Sequence, residues 1–428
     1  MKQIFNELKS QPVIAWVTVI GTALAIFLIM VVVMLNQVST VPMAPESNRD
    51  RLLYVTSLRA WSTDTTEQYS VQSGPGMAVI NMIFRNLETI EDIGLFTRFH
   101  EEQTVGVPGE GTEIVDTRRT DEGYFRIYDF DFIAGVPYDS ADVASHLKKA
   151  VITESLARQF FKGADHAVGS DIEIDDVPYR VTGVVADVSP VTDKAYSQVW
   201  MPLADERYDE WSDPRFGTGN TGVALLVREG EPTQAVIDEV HSKLRIYNSV
   251  RAAENVKSDF NGGPYTQEGD INQGGSSIPA DLGKVHRTRY LIYALLLLIP
   301  AINLSSMTRS RLAYRTGEIG VRRAFGATRS SIILSLISEN MIITLAGGII
   351  GLACALIFGG LLFDAIYSAG VFSTYHTTVT AGAGALLDWR TFAYALGFCF
   401  ILNILSSGMP AWRASRMNPV DAISARTK

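Results

Sequence analysis

Residues Val13 to Leu35 form an uncharged apolar run of 23 residues, and a run of that length constrains a fold more than any short motif does. A helix that crosses a hydrocarbon core needs about 20 such residues. Three further runs follow, from Tyr290 to about Met307, from about Met341 to Phe363 and from about Phe392 to Trp412. The expected fold class is therefore a membrane protein with four transmembrane α-helices and a large α+β extracytoplasmic domain between helices 1 and 2. A mean hydropathy of +0.12 agrees, being too apolar for an ordinary soluble enzyme and too polar for a chain buried wholly in lipid. Lys2 and Lys9 precede the first run as in a secretory signal. Its core nevertheless exceeds the roughly 7–15 residues of a signal h-region, and no small-x-small site follows at Asn36 to Pro42. It reads as a retained anchor.

Orientation follows from where Lys and Arg fall in the short loops. Residues 308–331 hold Arg309, Arg311, Arg315, Arg322, Arg323 and Arg329 against one acid, Glu318, and the tail holds Arg413, Arg416, Arg426 and Lys428 against Asp421. Residues 364–389 hold no Lys or Arg. Both termini and the 308–331 loop are thus expected in the cytoplasm, with 36–285 outside. Arg287 and Arg289 fall at the outer end of the second span, where they are tolerable on a projecting stalk or by snorkelling to headgroups.

The net charge of −9 conceals a division: residues 36–285 carry 22 Lys+Arg and 40 Asp+Glu, hence 22 − 40 = −18, and the remainder carries +9. An outer domain so acidic argues against nucleic acid and against flat docking on anionic lipid. The two cysteines, Cys354 and Cys399, lie in spans, so the outer domain has no disulfide and must stand on its core, which about 250 residues can supply.

Within 50–120, residues 51–58 read as a strand, Met77 to Leu87 as a helix and Ile93 to Phe99 as a strand. Within 216–260, Gly222 to Arg228 reads as a strand and Thr233 to Tyr247 as an amphipathic helix with Val236, Val240, Leu244 and Tyr247 inward. These two β-α units bracket a small α+β unit at about 121–215. It contains Glu122-Gly-Tyr-Phe125, a turn at Ala134-Gly-Val136, a strand and helix over Val151 to Phe161, Val168-Gly169, and a hairpin from Ile172 to Val185. Alternating Val, Ile and Tyr favour strands there, and each motif residue has a structural role rather than a catalytic one. Asn261 to Ser277 holds five glycines with Asn, Gln and Ser and reads as a flexible connection back to the membrane.

One cytoplasmic segment is patterned: Arg315-Thr-Gly-Glu-Ile-Gly-Val-Arg-Arg-Ala-Phe-Gly-Ala-Thr328. Glu318 and Arg322 pair on one helix face, Arg323 points to a neighbouring face as a bidentate donor, Gly326-Ala327 reads as a helix stop and Thr328 as the N-cap of the next helix. By charge alone, such arginines could merely set topology and hold headgroups. The segment resembles the loop of MacB/FtsX-like permeases of ABC transport systems, R-x-x-E-I-G-x-R-(R/K)-A-x-G-A-T, with Phe325 where an aliphatic residue is usual. The middle block, ending in Val181-Thr-Gly-Val-Val-Ala-Asp-Val188, resembles the MacB-type periplasmic core domain. The close of the chain, Met409 to Ile423, with Pro419 after Asn418, resembles the family's closing motif. The resemblance implies that 286–428 is an FtsX-like permease domain.

The resemblance implies that Arg315, Glu318, Ile319, Gly320, Arg322, Arg323, Gly326, Ala327 and Thr328 couple the chain to a separate ABC ATPase subunit. The bacterial cytoplasmic (inner) membrane is the implied location. A related permease or a second copy is the implied dimer partner, and a periplasmic adaptor and outer-membrane channel are possible further partners beside the membrane lipids. Pro300 should kink the second span, and Asn303 after it reads as an interhelical hydrogen-bond partner. Gly347 and Gly351 have the GxxxG spacing that admits a close helix. Glu339 reads as a headgroup-level residue where the third span begins.

No G-x-x-x-x-G-K-(S/T) phosphate loop occurs, and Gly163 to Gly169 has the wrong spacing and no lysine. The histidines at 100, 146, 166, 241, 286 and 376 make no metal-ligand spacing, and neither a G-x-S-x-G elbow nor a Cys/His pair is present. No catalysis and no cofactor are expected in this chain, with ATP and Mg bound by the partner. The expected function is the permease subunit of a MacB-type ABC transporter, acting as a lever for export. The alternatives are a lipoprotein-releasing permease and, from another class, a membrane-anchored signalling receptor.

Overall fold

The structure, a computed structural model, describes residues 12–64, 69–203, 213–274, 278–296, 298, 321–322, 325–368, 392–394, 396–397, 400–401 and 404. The chain divides into two units. One is built on Val38–Gly283; the other combines the first helix with the helices after Lys284.

In the helical unit, Pro12–Thr40 is one helix of 29 residues without a charged side chain, about 44 Å long at 1.5 Å per residue. Arg329–Ser368 is a second, of 40 residues. Counted over fully described residues alone, no helix is long and apolar enough to cross a membrane. The second and fourth expected spans fall partly outside the described residues. Glu339 lies inside the helix Arg329–Ser368 rather than at its start, because the chain turns helical ten residues earlier, behind Thr328. Ile26, Met30 and Met34 pack with Leu352 and Ala355, and Phe27 meets Phe358 edge-on with ring centroids 5.3 Å apart.

The other unit is built on strands β1 (Leu52–Val55), β2 (Leu58–Ser62), β3 (Ser70–Pro75), β4 (Ile90–Thr97), β5 (Glu101–Val107) and β6 (Gly111–Thr120). Then come β7 (Phe132–Gly135), β8 (Lys149–Thr153), β9 (Asp171–Ile174), β10 (Val177–Val185) and β11 (Val199–Pro202). The last are β12 (Thr218–Gly219), β13 (Thr221–Val227), β14 (Val256–Asp259) and β15 (Tyr265–Thr266).

Strands β6, β4, β13, β1 and β15 make an open sheet. Its central strand β13 is buried along its whole length. Val223, Leu225 and Val227 enter one core, and Ala224 and Leu226 enter the other. Burial on both faces explains why this strand reads as a continuous apolar run. Against the first face packs the helix Thr233–Arg251 through Val236, Val240, Leu244 and Tyr247, the residues its period assigns inward. Beside it lies Met77–Val79, which continues as a π-helix over Ile80–Phe84. The second face carries an aromatic core with Phe96, Tyr124, Tyr128, Tyr138 and Trp200.

Strands β5 and β6 lead elsewhere. β5 pairs with β6 and β9, β9 with β10, β10 with β8, β8 with β11, and β11 runs parallel to β6. Six strands therefore close into a ring around Val105, Val115, Ile152, Ile172, Val181, Val184 and Val199. Closure removes free edges. The block 121–215 is thus no separate insertion, because its strands close on β5 and β6 and the ring shares β6 with the open sheet. At the hairpin of β9 and β10, Asp175 and Asp176 take φ of 46° and 62°, the pair of left-handed residues that a two-residue turn with matching twist requires.

A further sequence expectation is overturned. Asn261 to Ser277 is not a free linker over its described part: it forms β15 on β1 and a short helix, Gln267–Ile271, in which Gln267 and Asp270 are buried. Glycine content suggested freedom, whereas buried polar side chains fasten it.

Candidate functional site

Of the patterned segment 315–328, Val321, Arg322 and Phe325 to Thr328 are described. Arg315, Glu318, Ile319, Gly320 and Arg323 lie outside the described residues, as does Asn303. Val321 and Arg322 are helical. Phe325 donates its N–H to Val321 O at 3.0 Å, and Ala327 donates to Arg322 O at 3.0 Å. Gly326 between them has φ of 92°. A bond spanning six residues around a left-handed glycine is the Schellman closure of a helix, so this turn requires glycine. The next helix begins at once: Ser331 N–H donates to the Thr328 hydroxyl at 3.3 Å, the N-cap bond to the third helical residue. The described residues 325–328 thus lead directly into the helix that begins at Arg329, with Phe325 88% exposed.

Gly347 and Gly351 face the helix Pro12–Thr40. A Cβ on Gly347 would lie 2.8 Å from Thr22 Cβ, and one on Gly351 2.5 Å from Ala23 O. Only residues without a Cβ allow this approach.

In the β-rich unit the motif residues hold backbone. A Cβ on Gly123 would lie 1.9 Å from Ile93 O. Tyr124 beside it is fully buried, its N–H donating to Asp121 Oδ1 at 3.0 Å, an oxygen that also accepts from Leu95 N–H at 2.8 Å. Burial pushes the Asp121 carboxyl up to about 7 against the pull of those two bonds. Asp187 accepts from Ser155 N–H at 3.0 Å and so caps the helix Glu154–Phe161.

The charged residues that sequence reasoning missed form a belt around residues 189–198. Glu46 and Arg49 are wholly buried and joined by Arg49 Nε donating to Glu46 Oε2 at 2.6 Å. Arg49 also donates to Val41 O and Val191 O, each at 2.9 Å. Glu46 Oε1 accepts from Lys194 N–H and Ala195 N–H, both at 2.9 Å. The Lys194 ammonium lies 2.9 Å from Asp270 Oδ2. Burial alone would lower this ammonium's pKa, but the carboxylates of Asp270 and Asp193 outweigh it and raise it. Burial, with the Arg118 guanidinium beside it, pushes the His100 imidazole down to about 3, so it is neutral across the physiological range. No local spacing announces this belt, because its partners are up to 149 residues apart. Among the described residues no His, Cys, Asp or Glu group is arranged to hold a metal ion.

Residues 15–243 match the family model of the MacB-like periplasmic core domain, and residues 290–419 match the FtsX-like permease C-terminal domain. The chain belongs to the MacB/FtsX-type ABC transporter permeases. It is 27% identical over 311 residues to the macrolide export ATP-binding/permease protein MacB of Burkholderia cenocepacia, covering 71% of this chain and 40% of that protein. It is 22% identical over 331 residues to the ABC transporter permease YknZ of Bacillus subtilis, covering 76% and 72%. The chain thus spans about two-fifths of the length of that MacB relative. Among solved structures, the extracellular domain of YknZ from Gram-positive bacteria aligns over 47% of this chain and 99% of that one, at 14% identity and a TM-score of 0.33. The periplasmic region of MacB from Actinobacillus actinomycetemcomitans aligns over 48% and 88%, at 13% identity and a TM-score of 0.33.

Proposed function

We propose that this permease crosses the bacterial cytoplasmic membrane four times, with both termini and the 308–331 loop inside and the β-rich unit outside. In this reading a separate ABC ATPase docks on the 315–328 loop, and its closing and opening pass through the helices to the outer domain to drive export. ATP and Mg belong to that partner, and the working assembly is a pair of permeases, alike or related, with two ATPases. The observation that carries the reading is the FtsX-like match over 290–419, which encloses the whole loop. The uncharged 29-residue helix Pro12–Thr40 and the arginine-rich loops support the topology. The Schellman turn and the Thr328 cap support the loop as a lever, since motion of the first helix must drag the second.

The test replaces Arg322 and Arg323 together by alanine in the tagged full chain, purified in mild detergent from its native host. An ATPase recovered at about one copy per permease with the native chain, and lost with the double variant, is the expected result. Undiminished recovery with the variant would refute the assignment. Recovery of no ATPase with the native chain would favour the receptor reading.

A further inference from the structure

The incoming and outgoing segments of the β-rich unit meet at one residue. Residues 41–49 follow the helix Pro12–Thr40, and Gln267–Ile271 precedes the helical stretch that begins at 282. The polar groups of Lys194 reach several elements, its ammonium also lying 3.3 Å from Oδ2 of its neighbour Asp193. Its N–H donates to Glu46 on the incoming segment at 2.9 Å, and its ammonium reaches Asp270 on the outgoing segment at 2.9 Å. Its carbonyl accepts from Tyr124 Oη at 2.9 Å, on the short helix Tyr124–Ile127, and from Arg118 Nη1 on β6.

The two carboxylates are held from other sides as well. Glu46 Oε2 is bound by Arg49, which also grips Val41 O, so the incoming segment is tied back towards its origin. Asp270 Oδ1 accepts from Thr56 Oγ1 at 2.8 Å and from Gln273 Nε2 at 2.9 Å. The side chains of Lys194 and Asp270 are 13% and 4% exposed, so water competes little for the pair. A buried ion pair contributes little net stability compared with an apolar contact of the same size. What it supplies is a fixed geometry.

We propose that Lys194 is a positioning residue for transport: it fastens residues 41–49 to residues 265–273, so that the two segments linking the unit to its helices move as one body. The consequence for transport rests on the lever reading above; the fastening itself does not. Without it, each helix would pull on its own side of the sheet.

The test places spin labels on cysteines introduced at the exposed positions Val41 and Ile271, in the full chain in nanodiscs with Cys354 and Cys399 replaced by serine. The native Lys194 chain should give one narrow distance distribution. Lys194→Met keeps the stem and the backbone bonds to Glu46 while removing the ammonium, and should at least double the width. Asp270→Asn, which retains an oxygen for Thr56 and Gln273, should do the same. Lys194→Arg should restore the narrow distribution, a rescue that a loss of packing alone would not give. An unchanged width in Lys194→Met or Asp270→Asn overturns the proposal. If Lys194→Met does not fold, Asp270→Asn decides. No ATPase enters the measurement, so failure of the coupling reading and failure of this fastening are read separately.

Discussion

Asp121 offers a test of how burial and hydrogen bonding compete in the β-rich unit. Its carboxyl is pushed from an ordinary value of 3.8 up to about 7, chiefly by burial. A carboxyl whose pKa is higher folded than unfolded makes the folded state bind the extra proton. Its penalty is absent below about pH 4, where both states are protonated, and complete above about pH 7, where both are ionised. Stability from this group therefore falls as pH rises through that window. A shift of about three units corresponds to about 4 kcal/mol at 1.36 kcal/mol per unit. At roughly 2–4 °C per kcal/mol for a domain of this size, the midpoint falls by about 10 °C.

Asp121→Asn keeps an Oδ1 to accept from Leu95 and Tyr124 N–H and cannot ionise. The assay is thermal unfolding of the purified full chain and its Asp121→Asn variant between pH 4 and pH 8, followed by tryptophan emission, to which the buried Trp200 contributes. Other groups titrate alike in both chains, so the difference between the two curves isolates residue 121. The variant should be the more stable above pH 7, with the advantage fading towards pH 4. Parallel curves would show that the carboxyl is not raised. A native chain that gains on the variant as pH rises would show that the two N–H bonds outweigh burial.

Two substitutions test the close approaches. Gly123→Ala places a Cβ 1.9 Å from Ile93 O and should destabilise the unit by about 2–4 kcal/mol, the range for a buried steric conflict; a denaturation midpoint unchanged from the native one would contradict this. Gly351→Leu puts its Cβ 2.5 Å from Ala23 O and should reduce several-fold the oxidative crosslinking between cysteines introduced at Ile26 and Ala355, which share a core. Retention of the crosslink would show that the helices pack without the glycine.

What sequence could reveal divides by the range of the interaction. The helix Thr233–Arg251 was readable with its inward residues because a 3.6-residue period is written locally. The stop at Gly326 and the cap at Thr328 were readable for the same reason, each being settled within six residues. The boundary between ring and open sheet was not, since it depends on β11 lying parallel to β6 about 80 residues away. Nor was the π-helix Ile80–Phe84, whose apolar pattern is that of any buried helical turn. Asn261 to Ser277 was misread because glycine and asparagine signal freedom only when nothing holds the side chains between them. Here Asp270 is held from three sides.

The placement of charge in this unit follows a mechanical logic. Contact between apolar surfaces is non-directional, so two segments held only by it can slide while keeping most of the contact energy. A carboxylate that accepts from several fixed donors cannot slide without losing them all, and a buried polar group left unsatisfied costs about 1–3 kcal/mol. The two faces of the open sheet, where register is already fixed by strand pairing, are filled with apolar residues. Residues 41–49 and 265–273 have little pairing of their own, and there the chain uses Glu46, Arg49, Lys194 and Asp270 instead. Directional bonds thus lie in the segments that have the least strand pairing to fix their register.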